Sequence, residues 1–226
     1  MSAASIAFEL KSGDLQVRAP FAEPAFGLFQ DFPGLCQRLY GALASYGVAL
    51  GDMKFEGSAG SLGDVHLAVT VLRASAVLRV RLDYVELQCF NVRNADEKDL
   101  AEVFVQTSQV VADHSPVAAA VTYSLAVGLH GSLDGVPTSN FIQRFVTAQG
   151  LPLGPPSGVG AVLYFGPHDS RLGASVTLDL SAMVPDGLFL RSNAIWKASS
   201  VDARALPAKG REFFDQVTTE LGLTVR

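Results

Sequence analysis

Charge is scarce in this chain. Only 17% of its 226 residues are Asp, Glu, Lys or Arg, where about 25% is usual in a globular protein. The 17 Lys and Arg residues are scattered singly, and the net charge is −5. A nucleic-acid binder carries a basic patch or stripe, so nucleic acid is not the expected partner. Cysteine is nearly absent. Cys36 and Cys89 make no disulfide framework and no metal-binding pair, and their apolar neighbours predict free, buried thiols.

Histidine is also sparse. His66, His114, His130 and His168 form no H-x-H or H-x-x-x-H pair and lie far from either cysteine. No metal site or cofactor is therefore expected. No G-x-S-x-G elbow is present to raise a nucleophilic serine. The glycine-rich stretch Gly57-Ser-Ala-Gly60-Ser-Leu-Gly63 lacks the Lys and Ser/Thr of a phosphate loop, and it runs into a strand pattern at Val65–Leu72 rather than a helix. The longest apolar run, Val117–Leu129, is interrupted by Thr122, Ser124 and Gly128. It is too short to span a bilayer as a helix. The first eleven residues lack the basic and apolar regions of a secretory leader. The expectation is a cytoplasmic protein with no membrane span.

What the chain does have is apolar bulk. The hydrophobic fraction is 49% and the mean hydropathy +0.28. With so little charge, this suggests apolar surface buried against a partner as well as a filled core.

The patterning is mostly of period two, the signature of half-buried strands. Ile6–Leu10 and Leu15–Arg18 alternate around Ser12-Gly13-Asp14, which reads as a hairpin. An aromatic, proline-punctuated segment from Pro20 to Pro33 follows. Leu35, Leu39, Leu43 and Tyr46 recur at helical spacing before Gly47. Val77–Leu82 and Tyr84–Val92 read as strands. Asp96 reads as a helix cap, with Glu97 and Asp99 in the first turn and an apolar stripe through Leu100, Phe104 and Val111. In Val117–Leu129 the odd positions are large and the even ones small, so one face is flat. A short helix is predicted over Ser139–Thr147, strands over Val159–Phe165, Ala174–Leu180 and Leu188–Lys197, and a last helix over Ala208–Leu221.

A shift of 110 residues sets Leu78 on Leu188, Arg81 on Arg191, Glu102 on Glu212, Phe104 on Phe214 and Gln106 on Gln216. This suggests a strand-strand-helix unit used twice. The predicted fold class is α+β: mainly antiparallel sheet, with two to four amphipathic helices packed on one face. One domain over 1–226 is expected. Residues 150–158, with three prolines, mark a division into 1–149 and 158–226 sharing one sheet.

With no motif carrying chemistry, the leading expectation is a non-catalytic interaction or assembly protein. It would form a homo-oligomer, or join a protein partner, through apolar sheet or helix surface. The alternative is a module binding a small apolar ligand between sheet and helix. An enzyme whose site is assembled from distant residues ranks third. The ligand or interface candidates are Tyr84, Tyr123, His130 and Trp196. Arg79, Arg81 and Arg191 are expected to form a charged stripe on the outer sheet face.

Overall fold

The computed structural model describes residues 5–58, 61–90, 96–146 and 160–226. The proline-rich segment 150–158 and the ends of several predicted elements, such as Asn91–Val92, lie outside the described residues.

The first predicted hairpin is one strand. β1 runs unbroken from Ile6 to Pro20, and Ser12, Gly13 and Asp14 pair with His130, Leu129 and Gly128 instead of turning. A bulge between Leu10 and Ser12 shifts the phase of its alternation. Phe8 enters the core from an even position, whereas Leu15, Val17 and Ala19 enter from odd ones. That phase change mimics a turn in the sequence.

α1 (Phe32–Leu43) begins where Asp31 accepts a hydrogen bond from Gly34 N. It ends in a 3₁₀ turn closed by Gly47 at φ 76°, where glycine carries no steric penalty. A short strand the sequence did not signal, β2 (Met53–Glu56), comes next. β3 (His66–Val71), β4 (Ala76–Arg81) and β5 (Tyr84–Cys89) form a meander. α2 (Glu97–His114) is capped by Asp96, which accepts from Lys98 N and Asp99 N. It buries Leu100, Val103, Phe104 and Val111.

β6 covers Thr122–Leu133, four residues beyond its predicted end, and Pro116–Ala118 forms a 3₁₀ turn ahead of it. α3 (Thr138–Gln143), β7 (Ala161–Phe165), β8 (Arg171–Leu180), β9 (Leu188–Lys197), α4 (Leu206–Leu221) and β10 (Leu223–Val225) complete the chain.

The fold is α+β. Its ten-stranded sheet has the order β2-β3-β4-β5-β1-β6-β9-β8-β7, with β10 beside the start of β1. Among the described residues every pairing is antiparallel except β1 with β10. Leaving β2 aside, the order β-α-β-β-β-α occurs twice, as β1-α1-β3-β4-β5-α2 and as β6-α3-β7-β8-β9-α4. The two series meet at the β1–β6 pair, with β5, β4 and β3 outward on one side and β9, β8 and β7 on the other. The shift of 110 matches α2 with α4. It fails on the strands, because it lays both β4 and β5 on β9.

The helices cover one face of the sheet. Leu67, Leu78, Leu87, Val17, Leu125, Leu190 and Leu178, one from each of seven strands, are buried beneath them. Glu102 pairs with Arg204, and Glu97 with Arg211, between α2 and the region of α4. The opposite face has no described helix on it. Among the described residues, no helix is long and apolar enough to cross a membrane.

Candidate binding surfaces of the sheet

The strand alternation that buries Leu125 and Leu129 under the helices sends Ser124, Ala126, Gly128 and His130 to the open face. The flat face read from the sequence is thus the middle of the open sheet surface. On either side of it the neighbours are long. β1 contributes Gln16 and Arg18, paired with Ala126 and Ser124. β9 contributes Arg191 and Asn193, paired with Gly128 and Ala126. Small residues on one strand between long ones on its neighbours make a trough of about 380 Å³, which extends to Ser175 and Thr177 on β8. Ala126, on its floor, is 5% exposed.

One carboxylate organises one side of this face. Glu86 of β5 is 4% exposed. Its Oε2 accepts from Gln16 Nε2 at 2.7 Å and from Arg18 Nε and Nη2 at 3.0 and 2.6 Å. Its Oε1 accepts from Arg79 Nη1 at 3.2 Å, which also donates to Gln88 at 3.0 Å. Arg191 Nη2 donates to Gln16 Oε1 at 2.9 Å. The network therefore runs from β4 to β9 across five adjacent strands. Arg79, Arg81 and Arg191 do share the open face, but three strands separate β4 from β9. Arg18, which the sequence reading passed over, stands between them.

The four aromatic and histidine candidates do not gather in one place: Tyr123 and Trp196 are cross-strand partners between β6 and β9, and Tyr84 and His130 lie on the other face. Tyr84 lies on the open face, with the Arg18 guanidinium 4.2 Å and that of Arg81 5.2 Å from its ring centroid. His130 is on the same face, stacked on Phe189 at 4.7 Å, with Nδ1 2.9 Å from Ser181 Oγ. Tyr123 and Trp196 point to the helix side. Tyr123 meets Phe104 edge-on at 6.1 Å, and burial, reinforced by Asp202, raises its pKa. Trp196 is 3% exposed.

On the helix side, a cleft of about 560 Å³ opens between β7–β8 and α4. Leu163, Phe165 and Val176 line one wall, and Phe213, Val217 and Leu221 the other. Arg171 sits at one end with its guanidinium 4.3 Å from the Phe213 ring centroid. Its Nε is buried with no hydrogen-bond partner among the described residues.

The two sheet edges differ. β2 carries Lys54 and Glu56 in four residues, and charges of this kind discourage edge pairing. β7 is Ala-Val-Leu-Tyr-Phe, without a charge, Gly or Pro. Tyr164 is 82% exposed, and Val162 and Phe165 are also exposed. Among the described residues β7 pairs with β8 alone.

Among the described residues neither cysteine is in a disulfide. Cys89 is buried, but Cys36, expected to be buried as well, is only half-buried because it sits at the margin of the stripe formed by Leu35 and Leu39. Burial raises the pKa of Cys36, which favours the unreactive thiol. Among the described residues, no three His, Cys, Asp or Glu side chains group as metal ligands. No protein-family model, curated protein or solved structure matches this chain.

Proposed function

We propose that the protein is a non-catalytic assembly protein, and that it self-associates through β7. The observation that carries this reading is an exposed edge strand with no protective charge. Such an edge offers a row of backbone donors and acceptors to another chain. A second copy is the occupant that fits. Two β7 strands related by a two-fold axis pair antiparallel about Leu163, so the interface is made of one patch used twice. On the open face this sets Val162 opposite Tyr164 of the second copy, an aromatic–β-branched pairing that favours cross-strand contact. On the helix side it brings Phe165 opposite Ala161. Low overall charge and positive hydropathy agree with apolar surface being covered in use.

Light scattering coupled to size exclusion tests this. The expected mass is twice the chain mass of 23.9 kDa. Val162→Lys with Tyr164→Lys should return the monomer without loss of fold. A wild-type monomer across the micromolar range would refute self-association through this edge.

A second reading rests on the helix-side cleft. Its apolar walls and the unpartnered Nε of Arg171 suit a small apolar ligand with one acceptor group at its end. Native mass spectrometry checks it. A bound mass of a few hundred daltons, lost in Arg171→Met or Phe213→Ala, would favour this function. Bare chain from gentle purification would count against it.

A further inference from the structure

We infer that the open-face trough is a binding site for a small organic carboxylate, with Arg191 as its anchor. The proposal is independent of self-association at β7. Four arginines, Arg18, Arg79, Arg81 and Arg191, face this side of the sheet, but they are not equivalent. Arg81 lies 3.9 Å from the carboxylate of Asp83. Glu86 satisfies Arg18 and Arg79. Arg191 has no carboxylate within 4.0 Å among the described residues, and its one side-chain partner is the amide oxygen of Gln16. A half-buried guanidinium facing only a neutral acceptor retains donors and charge for an anion.

The groups around Arg191 agree with it. Asn193, Ser124, Ser175 and Thr177 line the same trough. Their side chains make no hydrogen bond to a described residue. Each supplies an N–H or O–H donor, and among the described residues no acidic side chain lines the trough. The shape selects further. Ser124 and Ala126 floor the trough; at Gly128, outside it, Asp14 Oδ1 lies 2.6 Å from where a Cβ would stand. The walls stand on the strands flanking β6, about 9–10 Å apart. A planar carboxylate laid along the floor meets the planar guanidinium in a two-point contact, with the β8 hydroxyls beyond it. The volume suits a ligand of metabolite size.

Titration of the ¹⁵N-labelled protein with sodium succinate at constant ionic strength tests the assignment. Saturable shifts are expected in the Arg191 Nε–Hε signal and in the amides of Ser124, Ala126, Asn193 and Ser175. Arg191→Met should weaken binding about tenfold or more. Arg191→Lys, which keeps the charge but not the fork, should weaken it too. Arg38→Met, exposed on α1 and away from both the trough and the cleft, should leave it unchanged. Shifts that only track salt, or succinate binding retained in a folded Arg191→Met or Arg191→Lys protein, would overturn the proposal. Saturable binding of inorganic phosphate without binding of succinate would overturn the choice of carboxylate.

Discussion

Glu86 ties together three side chains of the open face. It lies on the face without helices, yet Gln16, Arg18 and Arg79 close over it and leave it buried. Removing one member of such a set leaves the others desolvated and unpaired, although the partial exposure of Arg18 and Arg79 softens the penalty. Glu86→Ala is expected to destabilise by about 2–3 kcal/mol, and Glu86→Gln by less, as read from urea denaturation midpoints. The sequence hinted at this only through cross-strand alternation, because Glu86 and Arg18 are 68 residues apart. Tyr123 ties stability to alkaline pH. Burial first, then the charge of Asp202, raises its pKa above the ordinary 10.0. The native state therefore holds this proton more tightly than the unfolded chain does. The resulting stability is fully present below pH 10.0 and is lost as pH rises through the higher native value. Tyr123→Phe should leave stability at pH 8 nearly unchanged and flatten the alkaline loss, measured by denaturation at a series of pH values.

At the scale of elements, α4 meets the sheet at a glycine. A Cβ added at Gly210 would fall 2.5 Å from Cδ2 and 3.0 Å from Cδ1 of Leu125, which is itself buried on β6. Glycine inside a helix ordinarily costs about 1 kcal/mol relative to alanine; here it permits close approach. Gly210→Val is expected to destabilise by about 2–3 kcal/mol, and Leu125→Ala in the same chain should recover part of the loss in a double-mutant cycle. α4 itself was legible from Phe213, Phe214, Val217 and Leu221 on one stripe and Gly222 after it. α2 was equally so from its Asp96 cap. These signals are local, written within a few residues of one another. β1 was misread because its bulge changes the phase of burial at a Ser-Gly-Asp triplet that elsewhere turns the chain. β2 was missed because its four residues gain their place only by pairing with β3. For the site, the flat face of β6 was legible, but its depth was not. A trough needs Gln16 and Arg18 on one side and Arg191 and Asn193 on the other, and strand order alone brings these together.

At the scale of the molecule, the sheet interlocks the two series of elements. β1 opens the first series and pairs with β6 of the second from Phe8↔Leu133 to Arg18↔Ser124. β10, at the end of the chain, returns to the start of β1, where Ile6 aligns with Leu223. Arg226 N donates to Phe8 O, and Leu10 N to Arg226 O. Leu223 is buried there. Neither series could be withdrawn without exposing a long central strand of the other, a poor prospect for independent folding. The expected behaviour is one cooperative transition, with calorimetric and van't Hoff enthalpies equal. Deleting residues 223–226 removes the buried Leu223 and the ladder to β1, a loss of roughly 2–3 kcal/mol. For a chain of this length that corresponds to about 5–10 °C in Tm. In a single cooperative unit the whole transition moves down together, including the signal of Trp196 on β9. If the halves on either side of 150–158 were independent, the deletion would split the transition in two, and scanning calorimetry distinguishes these outcomes.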